Sequence, residues 1–171
     1  QWLNRRPVYA ECPTTADTSA THELLQSPKH SLLDGFRRVD EVYHQEEHYH
    51  DKDGRQYEKL GHSCYSCLEV QKELPKMQTL LGNGIYTLRF LYNESVATLP
   101  KILLDPNSSP RKRFESLREV KEIAHWIDVL TSMIDVCWNI DVLITIKRAG
   151  KYDNEFTNMA KIIEQMPEYF E

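Results

Sequence analysis

The run from Phe114 to Arg148 constrains this chain more than any other feature. Phe114, Leu117, Val120, Ala124, Ile127, Leu130, Ile134 and Cys137 recur at helical spacing. From Ile123 onward the apolar surface widens until only a narrow polar stripe remains, made of Asp128, Ser132, Asp135 and Asn139. A helix that is apolar nearly all round is buried on most sides, so other helices should pack around this one. Asp128, Asp135 and Asp141 exclude a membrane span, since each carboxylate costs about 2.5 to 3.5 kcal/mol at a bilayer centre. The alternation of Val142, Ile144 and Ile146 leaves a strand over 141–147 as the competing reading.

The rest of the chain reads as helices between clear breakers. Residues 1–30 form an expected irregular arm, punctuated by Pro7, Pro13 and Pro28, with Trp2, Leu3, Val8 and Tyr9 apolar enough to dock on the body. A first helix is expected from Ser31, an N-cap type, with Leu32, Phe36, Val39 and Tyr43 on one face. It should run through Gln45 to His48 and stop before the turn Asp51-Lys52-Asp53-Gly54. A second is expected from Ser63, carrying Cys67, Val70 and Leu74, to be ended or kinked by Pro75. Gly82-Asn83-Gly84 is the clearest breaker, followed by a helix over 85–99 that stops at Pro100. After the loop 105–110 comes the long helix. It ends at Ala149-Gly150, and a last helix spans 154–166, closed by Pro167. The expected fold is all-α: a single bundle over 31–171, of about five helices around a long central helix at about 114–148.

Composition and charge narrow the function. At 171 residues, with 40% hydrophobic and 27% charged, the chain is long enough to bury one core and unlike a disordered segment. A net charge of −5 repels phosphate, which argues against general nucleic-acid binding. The only run of three cations, Arg111-Lys112-Arg113, fits a solvated helix start. Gln1 is not an initiating residue, so the chain is expected to be a piece of something longer or to have lost a leader.

Metal chemistry has one candidate set. His44 and His48 lie four residues apart on a helix, so they share a face, and Cys64-x-x-Cys67 offers two thiolates fifteen residues further on. Together they make the Cys₂His₂ set that tetrahedral zinc favours. A zinc held by His44, His48, Cys64 and Cys67 would be structural, because four protein ligands leave no open position for a reacting water. The alternative is that the histidines are solvated and that Cys67 is a core residue. In its histidine-before-cysteine order the set resembles the zinc-binding module ahead of retroviral and retrotransposon integrase cores. That resemblance covers those four residues alone, with a shorter connection and no acidic catalytic core downstream.

Cys64 and Cys67 also admit a redox reading, as a thiol pair at a helix start. Flavin-linked helical sulfhydryl oxidases are similar in placing such a pair, although Cys137-Trp138-Asn139 matches only a fragment of a flavin pattern. The turn at Asp51 fails as a calcium loop, since Tyr49 and Leu60 stand where acidic ligands are required. Asp128 and Asp135 are two turns apart, about 10.5 Å along the axis, too far to share a proton. Ser27-Pro28-Lys29 and Ser109-Pro110-Arg111 are loop serines open to phosphorylation, Ser109 just before the long helix.

The leading expectation is a non-catalytic helical protein–protein interaction domain, such as an adaptor, scaffold or regulatory module, with another protein as partner. No nucleophile–base pair, glycine-rich phosphate loop or basic face stands out. Tyr43, Tyr49, Tyr57, Tyr65, Tyr86, Tyr92, Tyr152, Tyr169 and Trp2 supply the aromatic anchors that interfaces favour. Cys137, among Met133, Ile134, Val136 and Trp138, reads as a buried hydrophobe. An intracellular setting is expected. The alternatives are a secreted cytokine-like ligand, with Cys12 in a disulfide and glycans at the sequons of Asn93 or Asn107, and a flavin-linked thiol oxidase using Cys64 and Cys67.

Overall fold

Proline and glycine, which punctuate the sequence, do not punctuate the fold. The structure, a computed structural model, describes residues 27–44, 65–146 and 154–169. These form four helices and no strand: α1 (Pro28–His44), α2 (Tyr65–Leu104), α3 (Pro110–Thr145) and α4 (Glu155–Glu164). The described residues are all-helical, as expected. The count differs from about five, because the helices expected over 63–74 and 85–99 are one helix of 40 residues, α2. The irregular arm up to residue 26 lies outside the described residues, as do 45–64.

Helix α1 starts at Pro28 rather than Ser31, since proline suits the first helical position, where its missing N–H has no partner to lose. Its buried row is Leu32, Phe36, Val39 and Tyr43, the one read from the sequence. Helix α2 continues through Pro75, although a proline inside a helix costs about 3 kcal/mol. Packing overrides that cost. Val70, Leu74, Met77, Leu81, Ile85 and Leu88 are all buried, each at about 1.5 to 3 kcal/mol for a full-sized apolar side chain.

Gly84 explains why the apparent breaker is no break. A Cβ there would lie 3.0 Å from Leu130 Cδ1 on α3, 3.2 Å from Pro28 Cβ and 3.6 Å from Leu32 Cδ1 on α1. Three helices converge on this point, and glycine supplies the notch. Helix propensity is lost there, about 1 kcal/mol relative to alanine, and the close approach offsets it.

Helix α3 runs Pro110–Thr145, so the segment at 141–145 is helix and not strand. Ser109 caps it, accepting from the Lys112 N–H at 3.1 Å. Its buried residues are Ile123, Trp126, Leu130, Met133, Ile134, Cys137, Ile140 and Ile144. The alternating steps of three and four describe a single seam, which faces α2. Helix α2 packs against both α1 and α3, and α4 packs on α1. The element with long neighbours on two sides is therefore α2, whereas the helix expected at the centre leans chiefly on one partner. Asp128, Ser132 and Asn139 are exposed and Asp135 is half-buried. Asp141 Oδ1 accepts from Gln71 Nε2 at 2.9 Å.

The short α4 closes the open side of α1. Phe156, Met159 and Ile163 are buried, and the Phe156 ring sits 6.2 Å from that of Tyr43, tilted by 59°. Thr157 donates to Asp40 at 2.8 Å, and Arg37 pairs with Glu164 at 2.8 Å. The latter is exposed and adds orientation more than stability. No helix among the described residues is long and apolar enough to cross a membrane.

Candidate functional site

The seam between α2 and α3 outlasts the bundle that covers it. The pairs Gln71–Asp141 and Gly84–Leu130 fix an antiparallel register, which makes Val96 level with Leu117 and Leu103 level with the first turn of α3. Helix α1 begins beside Gly84 of α2, with Pro28 Cβ 3.2 Å from where a Cβ at Gly84 would lie. Beyond Leu88 on α2 and before Ile123 on α3, no residue from 89 to 122 is buried. This arm extends about 24 Å, the length of sixteen helical residues.

The seam pattern continues along the arm but its contents change. On α2 it passes through Tyr92, Ser95, Leu99 and Ile102, and on α3 through Arg113, Ser116 and Val120, all half-buried. Ser95 and Ser116 bury little apolar area, and Ser116 Oγ donates to its own helix at the Lys112 carbonyl, 2.8 Å away. Apolar residues sit instead on the exposed flank. Val96, Leu103, Leu104, Phe114 and Leu117 are all exposed, Leu104 by 81% and Phe114 by 64%.

The tip is held firmly. Asn107 N–H donates to Asp105 Oδ1 at 2.9 Å, closing a local turn. Arg113 reaches back from α3, donating to the Asp105 carbonyl at 2.9 Å and to Ser108 Oγ at 3.2 Å. Ser108 Oγ in turn donates to the carbonyls of Ile102 and Asp105. The cationic run 111–113 is therefore in part a loop staple. Arg111 pairs with Glu115 at 3.0 Å.

The sequence-derived candidates fall elsewhere. His44 ends α1 and Cys67 lies in the first turn of α2, and their side chains, with all of His48 and Cys64, lie outside the described residues. Gly35 meets Met77 and Arg38 pairs with Glu73 at 3.5 Å, so α1 and α2 are antiparallel, and the end of α1 and the start of α2 belong to the same end of the bundle. Among the described residues no three His, Cys, Asp or Glu side chains converge as a metal set. Cys137 is a free, fully buried thiol, as expected, and burial pushes it up to about 12. A thiol so held is neutral at physiological pH and is no nucleophile.

The Ser27 hydroxyl is buried and, among the described residues, has no hydrogen-bond partner. Ser109 is exposed and its hydroxyl is engaged as the α3 cap. Of the sequon asparagines, Asn93 lies inside α2 and Asn107 in the exposed tip loop. Among the tyrosines, Tyr43 is core and Tyr86, Tyr92 and Tyr169 are half-buried. Tyr169 donates to Glu122 at 3.3 Å, and burial, then the Glu122 and Glu119 carboxylates, push its hydroxyl up. The side chains of Trp2, Tyr49, Tyr57, Tyr65 and Tyr152 lie outside the described residues. The arm went unread because Phe114 and Leu117 share the core row's spacing. The usable signal was Ser95 and Ser116, which break that row where the bundle ends.

Among the described residues, surface depressions of about 350 and 500 Å³ lie along α2, the larger between α1 and α2 and lined by Ser31, Asp34, Gly35, Arg38, Lys76, Thr79 and Leu80. No protein-family model matches the chain, and no curated protein and no solved structure matches it.

Proposed function

We propose that this chain is a non-catalytic helical interaction module, an adaptor, scaffold or regulatory domain, that engages another protein through the arm formed by α2 and α3. One observation carries this reading: Val96, Leu103, Leu104, Phe114 and Leu117 are exposed on an arm in which no residue is buried and whose tip is pinned by Arg113. Exposed apolar area with a pre-ordered backbone loses little entropy on binding. The free Cys137 suits an intracellular setting.

The test is partner capture by the full chain against its Leu104→Asp, Phe114→Asp double variant. Both positions are exposed, so helicity and melting should be unchanged. Proteins enriched by the parent chain should be lost from the variant. An identical set captured by both would place the contact elsewhere.

The same reading includes one structural zinc on His44, His48, Cys64 and Cys67. It is supported by the ligand chemistry and by the antiparallel order of α1 and α2. One equivalent of zinc in the purified protein, lost in Cys64→Ser, Cys67→Ser, is the expected outcome. Metal-free protein of unchanged stability would remove the site.

A further inference from the structure

We infer that Tyr169 is a phosphorylation site, and that a phosphoryl group there unfastens a strap tying the C-terminal segment to α3. The strap is residues 165–169. Helix α4 ends at Glu164, and the Gln165 and Met166 N–H groups donate to the carbonyls of Ile162 at 3.1 Å and Ile163 at 3.0 Å. Met166 is buried in the core, and Pro167 stops any further helix. Beyond it, Glu168 Oε1 lies 2.7 Å from His30 Nε2 on the first turn of α1. Tyr169 then packs its ring on the core and donates to Glu122 on α3 at 3.3 Å. The chain thus crosses from α4, which packs on α1, to α3. The strap works alike whatever partner the arm takes.

This fastening accepts a neutral ring and rejects an anionic one. Glu119 and Glu122 are neighbours on the α3 surface, one turn apart. Burial first, then Glu122 and Glu119, hold the Tyr169 hydroxyl in its protonated form. A tyrosine kinase moves the terminal phosphoryl of a nucleoside triphosphate onto the Tyr169 oxygen. A P–O bond replaces the O–H bond, the nucleoside diphosphate leaves, and the proton passes to a base of the kinase. The product carries a charge of about −1.5 to −2 at pH 7. Set against two carboxylates it is repelled, the circumstance in which a phosphate disrupts a contact and does not order it. Glu168 and Glu171 flank the tyrosine in sequence, so the kinase that takes it presents a cationic face. Local opening gives access, since Tyr169 is half-buried and the His30 side chain that holds Glu168 is 69% exposed. Glu122 directly precedes Ile123, the first buried residue of α3, so release is felt where the arm leaves the bundle.

Hydrogen exchange on the full chain carrying phosphotyrosine at position 169 tests the strap. Amides of 165–169 should exchange faster than in the parent by about tenfold or more, with those of 71–88 on α2 unchanged. Tyr169→Phe loses one hydrogen bond and adds no charge, so it should exchange nearer the parent's rate. Glu119→Gln with Glu122→Gln in the phosphorylated chain should restore slow exchange. A tyrosine kinase that labels the free peptide 164–171 with ATP should also label Tyr169 in the folded chain, read by mass spectrometry. Equal exchange with and without the phosphate overturns the strap. Phenylalanine as fast as phosphotyrosine, or a glutamine pair that restores nothing, overturns the role of charge. A folded chain left unlabelled at Tyr169 by that kinase overturns the modification site.

Discussion

Ile134→Asp is expected to leave the protein unfolded at 25 °C, with loss of the helical signal at 222 nm. Ile134 is 2% exposed on the α3 seam, against a helix that packs on both its neighbours. The substitution removes an apolar side chain worth about 1.5 to 3 kcal/mol. It also puts a carboxylate where the described neighbours are apolar, and no cation on α3 from Ile123 to Thr145 is there to pair with it. Burying an unpaired carboxylate costs several kcal/mol or forces its protonation. Together these reach the whole stability of an ordinary domain, about 5 to 15 kcal/mol. Asp128→Ala on the exposed side of the same helix is the control, expected within about 0.5 kcal/mol of the parent in urea titration. A folded Ile134→Asp protein would mean that the seam opens to water.

Gly84→Val should destabilise the fold by about 3 kcal/mol, near the upper end for overpacking. Glycine-to-larger changes inside helices commonly help through propensity. Here the first added carbon already meets Leu130 at 3.0 Å and Pro28 at 3.2 Å. Leu130 can turn its terminal methyl, but Pro28 is a ring on a helix backbone and cannot. Valine's two further methyls have no place short of moving α1 or α3. Denaturant unfolding would show it as a lowered midpoint. A raised midpoint would mean that the helices do not meet at this notch.

The fold was legible where a short apolar period ran between clear breakers. Leu32, Phe36, Val39 and Tyr43 are buried in α1 as read, and of the apolar residues that the last helix offers, Phe156, Met159 and Ile163 are buried in α4 whereas Ile162 is 41% exposed. Cys137 was legible from its neighbours. The sequence misled at Pro75 and at Gly82 and Gly84, where local chemistry speaks for a break and long-range burial overrules it. No local window can show that Gly84 sits against Leu130, forty-six residues away in the chain. The arm was hidden for the opposite reason. Phe114 and Leu117 continue the helical period of a core row, yet nothing among the described residues covers them as α1 covers the first half of α2. Val120 is half-buried in the seam, so it is Phe114 and Leu117 that stay exposed: periodicity reports which side of a helix is apolar, and it is silent on whether a neighbour arrives.

Because α2 and α3 are each continuous from the bundle into the arm, the notch at Gly84 is also the fulcrum of a lever. The twenty residues from there to Leu104 make a rod of about 30 Å, without a hinge at Pro100, through which α2 is unbroken. A tilt of about 5° at the notch would carry the tip sideways by about 2.5 Å, half a helical turn. Binding at Leu104 and Phe114 would therefore be felt as torque where α1, α2 and α3 meet. Small changes in packing there would steer the far end of the arm.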